Sequence, residues 1–174
     1  MLVSDEDRVL RLLWHPLHFH DGEVSSAAFD RSDLLGKPDR DEVARYISVD
    51  QEARISKASV DWRIEYQTRQ GLNADLLEKR KIPRFGGFLV SNLRRCTCAE
   101  DNRLFEITHE PIEANEEIGM PANPAHCGVK SLYLNRINEM SRATQNSLVE
   151  RMRSELLKAL DSVLEYTDVF PDRV

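Results

Sequence analysis

The clearest pattern of hydrophobic and polar positions lies toward the C-terminal end of the chain. No glycine or proline interrupts residues 135–166, and apolar side chains recur there every three or four residues. They are Ile137, Met140, Leu148, Met152, Leu156, Leu160 and Val163, with Thr144 filling the position between Met140 and Leu148. This spacing places them on one face of an amphipathic helix. Some thirty helical residues would measure about 45 Å at 1.5 Å per residue, which exceeds the diameter of about 30 Å expected for a domain of this size.

A helix of that length can be accommodated in two ways. It breaks, for which the polar pair Gln145 and Asn146 is the predicted place, or one end overhangs the core. An overhanging apolar face has to be covered, usually by another chain. The pattern therefore predicts an interaction surface, with a broken helix packed wholly on its own sheet as the alternative. The predicted interaction residues are Leu148, Met152, Leu156 and Leu160.

Upstream of this helix, the pattern predicts short strands and two further helices. The predicted strands cover residues 46–49, 88–90, 104–107 and 129–134, and residues 9–14 fit either a buried strand or a helix. The predicted helices cover residues 50–70, with Asp50 as N-cap and Gly71 as C-cap, and residues 73–81, ending before Pro83. Polar loops are predicted around residues 36–39 and over 111–124.

These elements predict an α+β fold, in which helices pack on a small and mainly antiparallel sheet. Residues 1–134 would form the α+β core and residues 135–174 a C-terminal helical extension. The two parts together make one domain, as expected for 174 residues.

Composition narrows the class of protein. Apolar residues make up 41% and charged residues 31%, which is typical of a soluble globular chain. The 30 acidic and 24 basic residues leave a net charge of −6, which argues against a broad basic surface for nucleic acid. The first ten residues lack the pattern of a signal peptide, and no apolar run is long enough to cross a membrane. Three cysteines are too few for a disulfide scaffold, so we predict reduced thiols and a cytoplasmic protein.

The densest group of candidate metal ligands is His15-Pro16-Leu17-His18-Phe19-His20-Asp21. On an extended chain His18 and His20 project to the same side. Two imidazoles beside the carboxylate of Asp21 could begin a site for a divalent metal ion. The alternative is a histidine-rich surface turn that bends at Asp21 and Gly22. Only the metal alternative implies a cofactor; otherwise none is predicted.

A second group contains Cys96, Cys98, His126 and Cys127. The single residue between Cys96 and Cys98 is too short for a familiar zinc knuckle, so buried thiols are the favoured interpretation. Cys127 beside His126 could suggest a nucleophile and its base, but neighbours on a strand point in opposite directions. Ser25 or Ser26 with His20 is the alternative pair. The sequence contains no nucleophile-elbow, phosphate-loop or dinucleotide-binding motif.

Four segments of the chain, in this order, carry a resemblance to other proteins. They are RVLR at 8–11 running into His15-Pro16, DGEVSSAAF at 21–29, ISVD at 47–50 and NPAH at 123–126. Together they resemble blocks in a group of small bacterial proteins without an established activity. The resemblance implies a bacterial cytoplasmic protein and no site residues. The same order of arginine and serines is similar to compact ADP-ribosyltransferase-like folds, in which Arg11, Ser25 and Ser26 would bind the dinucleotide.

Two classes of function follow from these observations. The first is a non-catalytic accessory or adaptor subunit of a bacterial cytoplasmic complex, which binds a protein partner or a second copy through the C-terminal helix. The second is a small enzyme, either a metal-dependent hydrolase using His18, His20 and Asp21 or, less favoured, an ADP-ribosyltransferase-like enzyme. The length of the C-terminal helix favours the first.

Overall fold

The computed structural model describes residues 3–36, 46–69, 74–133 and 136–171. Within these ranges the strands are β1 (Arg8–Pro16), β2 (Phe19–His20), β3 (Glu23–Val24), β4 (Ile47–Gln51), β5 (Arg80–Leu89), β6 (Phe105–His109), β7 (His126–Ser131) and β8 (Leu160–Glu165). The α-helices are α1 (Arg31–Leu35), α2 (Lys57–Arg69), α3 (Ala74–Lys79), α4 (Val90–Arg94), α5 (Arg142–Ala159) and α6 (Tyr166–Val169). The predicted α+β class is confirmed.

Six strands form one antiparallel sheet in the order β6-β7-β4-β1-β5-β8, and β2 and β3 form a separate hairpin. The order is not the sequence order, because β1 lies at the centre, between β4 and β5. Residues 9–14, which fitted either a helix or a strand, therefore form part of the central strand. Among the described residues, none of the helices has the length and apolar character needed to span a membrane.

The first face of the sheet carries the larger core. Val9 on β1, Val49 on β4 and Cys127 on β7 point to this face, where α5 covers them with Met152 and Leu156. All five side chains are at most 1% exposed. Burial of this kind contributes about 1.5–3 kcal/mol for each large apolar side chain. Most of the apolar side chains that stabilise the fold therefore lie between α5 and the sheet.

The second face carries a smaller apolar cluster on one half and polar side chains on the other. Leu10 and Phe85 of the sheet pack with Val60 of α2, and α6 adds Tyr166 and Val169 at the edge of this cluster. On the half of the second face formed by β4 and β7, the side chains are mostly polar. The second face is therefore apolar on one half and polar on the other.

The C-terminal segment corrects the predicted long helix. Helix α5 ends at Ala159, and the chain continues directly into β8, which pairs with β5 as the outer strand. The predicted break at Gln145 and Asn146 is wrong, because both residues lie inside α5. Residues 160–165 are the last strand of the sheet, so they do not belong to a helical extension.

The predicted interaction residues lie largely inside the chain's own core. Met152 and Leu156 are 0% and 1% exposed, and Leu148 and Leu160 pack at the edge of the same cluster. Their three- and four-residue spacing reflects packing on the sheet, which was the alternative interpretation. The apolar face of α5 is therefore not free to bind a partner at Met152 or Leu156.

Two other predicted elements have different bounds. Asp50 was the predicted N-cap of a helix, but it lies inside β4, and α2 begins only at Lys57. The strand predicted at residues 88–90 is the end of the longer β5, which starts at Arg80 and contains Pro83. Gly71, the predicted C-cap, and part of the loop around residues 36–39 lie outside the described residues.

Candidate functional site

The polar half of the second face is organised around His126, the first residue of β7. Its imidazole is 3% exposed and uses both nitrogens. Nδ1 lies 2.8 Å from the backbone oxygen of Glu110, and Nε2 lies 3.2 Å from the hydroxyl oxygen of Ser48. A backbone carbonyl can only accept a hydrogen bond, so Nδ1 carries the proton. In the neutral ring Nε2 is then the acceptor, and Ser48 donates its hydroxyl hydrogen to it.

Strand pairing brings Ser48 and His126 together, although they lie 78 positions apart in the sequence. β4 and β7 pair antiparallel, with Ser48 opposite Gly128 and Asp50 opposite His126. Ser48, Asp50 and His126 therefore share the second face of the sheet. Ser48 is exposed, whereas His126 lies buried beside it. Ser48 is thus at the surface, while the histidine that its hydroxyl contacts is protected from water.

The ring of Tyr46 lies next to the Ser48–His126 pair, on the histidine side. The Tyr46 side chain packs closely against Gly128, where an added Cβ would come within 2.9 Å of the tyrosine Cγ. The ring centre is 5.6 Å from that of His126, and the Lys130 ammonium lies 5.7 Å from it. Burial raises the pKa of Tyr46, and the negative charge of Glu110 adds to this effect. Tyr46 therefore remains a neutral phenol at physiological pH.

Lys130 and Glu110 form an ion pair next to Tyr46. Hydrogen bonds from Lys130 and Thr108 hold the pKa of the Glu110 carboxyl below its usual range. The backbone of Glu110 also fixes His126, because its N–H donates to the His126 carbonyl at 2.9 Å while its own carbonyl accepts from the ring. The opposite charges of this pair offset each other.

A network of buried polar side chains is centred on Asp50, which lies on the same face of the sheet as Ser48 and His126. The carboxylate of Asp50, which is 1% exposed, accepts a hydrogen bond from Arg63 at 2.6 Å and another from Asn123 at 2.8 Å. Asn123 is itself 3% exposed, and its side-chain oxygen accepts from the backbone N–H of Ala125 at 3.2 Å. The network thus connects helix α2, strand β4 and the loop that enters β7.

The sequence does not single out Ser48 or Asp50 as site residues. It offers His126 with Cys96, Cys98 and Cys127, and as a residue that could complete the metal site of His18 and His20. The signal was weak because the partners are far apart in the chain. Cys127 follows His126 directly but points into the core on the first face, as expected for neighbours on a strand. Burial raises the pKa of Cys96 to about 12 and that of Cys127 to about 11, so both remain thiols.

The predicted metal ligands do not converge. Nδ1 of His18 accepts a hydrogen bond from the backbone N–H of Trp14 at 2.9 Å, while His20 and Asp21 form an exposed pair 3.3 Å apart. Across the described part of the chain, no three His, Cys, Asp or Glu side chains are grouped closely enough to hold a metal ion. The structure does not assemble the predicted site.

Arg11 and Ser25, to which the similarity to ADP-ribosyltransferase-like folds would assign dinucleotide binding, both contact backbone atoms of the chain. The Arg11 guanidinium donates to the backbone oxygens of Ala28 and Ser48, and its pKa is lowered by burial. Ser25 caps the short 3-10 turn Ser26–Ala28 by accepting from the Ala27 N–H. These contacts are structural, since each of them holds backbone next to the central strand.

His18 makes the stability of the protein depend on pH. Burial lowers the pKa of His18 to about 4, and the charges of Arg11 and Arg80 act in the same direction. In the unfolded chain an ordinary histidine has a pKa of about 6.5, so the unfolded state binds the proton first as pH falls. The neutral ring therefore stabilises the fold fully above pH 6.5, and this contribution is lost as pH falls toward 4.

We expect the free energy of unfolding to fall by about 1–2 kcal/mol between pH 7 and pH 4.5 through His18, after allowance for its partial exposure. Urea titrations of the native protein and of His18→Gln at both pH values measure this contribution as the difference of their pH effects. His20→Gln in the same hairpin is the matched control, because His20 is exposed. Equal pH effects in the native protein and His18→Gln would contradict the prediction.

No family model matches the chain, and neither a curated protein nor a solved structure matches it.

Proposed function

We propose that the protein is a hydrolase of activated acyl groups in which Ser48 is the nucleophile and His126 the general base. The observation that carries the proposal is the pair itself. The hydroxyl of Ser48, an exposed residue, lies 3.2 Å from the acceptor nitrogen of a buried histidine, whose other nitrogen is fixed by a backbone carbonyl. A nucleophile, a base within hydrogen-bond distance and a group that orients the base are the parts that such catalysis needs.

In the proposed reaction, Ser48 Oγ forms a bond to the carbonyl carbon of the substrate while its proton moves to Nε2 of His126. The imidazolium then gives this proton to the leaving oxygen or nitrogen as the acyl bond breaks. A water molecule, deprotonated by the same nitrogen, next attacks the acyl carbon. The ester bond to Ser48 Oγ then breaks, the imidazolium returns its proton to Oγ, and the acid is released. The Glu110 carbonyl keeps the imidazole in the tautomer that can accept the first proton.

A fluorophosphonate probe tests the nucleophile without knowledge of the substrate. Its phosphorus bonds to Ser48 Oγ, fluoride leaves, and the serine proton passes to His126, so intact-mass spectrometry should show one added phosphonyl group. We expect Ser48→Ala to abolish this labelling and His126→Ala to slow it by about 100-fold or more, the usual contribution of a general base.

The matched control is Ser147→Ala, since Ser147 is an exposed serine on α5 without a histidine partner. It should be labelled like the native protein. Peptide mapping should place the phosphonyl group on Ser48. A native protein that is not labelled, or that is labelled at another residue, would contradict the proposed function.

The accessory-subunit function predicted from the sequence stays a prediction. Its strongest support was the apolar face of the C-terminal helix, and Met152 and Leu156 of that face are used within the core. Association with a partner would need another surface. The hydrolase is therefore the function that the geometry supports better.

A further inference from the structure

We infer that Asn123 and Asp50 are positioning residues for His126, holding its ring in the orientation that accepts the Ser48 proton. This inference concerns residues that do not touch Ser48 Oγ and rests on the proposed function for its catalytic meaning. Its structural content, the link between a buried carboxylate and the histidine ring, can be measured independently.

The first step of the argument is the loop that leads into β7. The backbone of Asn123 pairs with that of Ile112 in both directions, at 2.8 and 3.0 Å, which joins the two ends of a long irregular segment. The His126 N–H reaches back to the Asn123 carbonyl at 3.5 Å, and the Ala125 N–H donates to the Asn123 side chain. The position of Asn123 thus sets the direction from which the chain enters His126.

The second step is the attachment of Asn123 to the sheet. Its side-chain amide donates to Asp50, which sits directly opposite His126 on the neighbouring strand. One residue further on, the Gln51 N–H donates to the Ala125 carbonyl at 2.9 Å. The loop is therefore tied to β4 by one side chain and one backbone group, both within the three residues that precede His126.

The third step is the cost of burying these groups. A carboxylate that is 1% exposed loses its hydration, and the ion pair with Arg63 repays this loss only in part. Apolar side chains of similar volume would stabilise this interior at least as well. Directional hydrogen bonds supply what apolar packing cannot, namely a fixed orientation of the loop and of the ring that follows it.

The experiment is a double-mutant cycle on the fluorophosphonate labelling rate, with Asn123→Ala, Asp50→Ala and the double variant. Both single variants cut the same link, so we expect each to slow labelling about tenfold and the double variant to be no slower than either. Asn146→Ala is the matched control, since that asparagine bonds Arg31 on the exposed side of α5. It should label at the native rate.

A second measurement gives the tautomer of the His126 ring directly. Nitrogen-15 NMR of the His126 imidazole should show the Nδ1–H tautomer in the native protein and a mixture of tautomers in Asn123→Ala and Asp50→Ala. Thermal unfolding identifies any variant that does not fold, in which case the other single variant decides. Folded variants with the native tautomer and the native labelling rate would overturn the inference. A single tautomer in a native protein that is not labelled would instead overturn only the proposed function.

Discussion

Replacing Met152 with aspartate is expected to unfold the protein and not to dissociate an assembly. Met152 is 0% exposed and lies in the main core between α5 and the sheet. The substitution removes about 2–5 kcal/mol of apolar packing and adds a carboxylate that has no partner in this environment. A total loss of about 5 kcal/mol or more equals the whole stability of many domains.

Circular dichroism and size-exclusion chromatography together distinguish the two outcomes. Ser147→Asp, the same substitution at an exposed position of the same helix, is the matched control and should keep the native spectrum and mass. If Met152→Asp retained the native spectrum while the particle mass fell, α5 would be an interface after all. That result would favour the accessory-subunit function predicted from the sequence.

Replacing Phe85 with alanine is expected to lower the free energy of unfolding by about 3–5 kcal/mol. Phe85 is 1% exposed, and its ring meets that of Phe170 edge-on with centres 6.3 Å apart. It joins Leu10 and Val60 in the smaller core cluster of the second face. Because this cluster contains few large buried side chains, few neighbouring side chains can move in to fill the cavity that the substitution leaves.

The loss of stability caused by Phe85→Ala should be greater in some elements of the fold than in others. Urea denaturation gives the change in free energy, and hydrogen exchange should show the greatest loss of protection in α6, which packs on this cluster. Tyr66→Ala on α2 is the control, because Tyr66 is 43% exposed, and it should cost less than about 1.5 kcal/mol. Comparable losses for the two variants would contradict the importance of this second core.

The fold class and the packing face of α5 could be predicted because both depend on local periodicity. Met152 and Leu156 were correctly placed on the apolar face, although that face packs on the chain's own sheet. The end of the helix could not be predicted in the same way. Leu160 and Val163 continue the three- and four-residue spacing, and no glycine or proline marks the change to β8. Pairing with β5, a contact distant in sequence, decides between helix and strand there.

The candidate site was missed for a related reason. Ser48 and His126 occur in short segments without a catalytic motif, and only the antiparallel register of β4 and β7 makes them neighbours. The histidines that are close in sequence have different surroundings. His18 lies in the turn between β1 and β2 and accepts a hydrogen bond from Trp14, whereas His20 is exposed on β2. Proximity along the chain therefore indicated histidines that the structure does not group with Asp21 into a metal site, whereas strand pairing brings His126 next to Ser48.

The two outer strands of the sheet carry charges that oppose growth of the sheet by a further strand. On β8 the exposed Asp161 and Glu165 alternate with half-buried positions, and Asp161 is held by Arg8 through two hydrogen bonds of 2.8 and 2.6 Å. On β6 Glu106 is bound by Arg94, which also holds Asp5 near the N-terminus. A strand from another molecule would have to displace these ion pairs or accept a carboxylate beside it. Such edges protect a concentrated solution of the protein against stacking into fibrils.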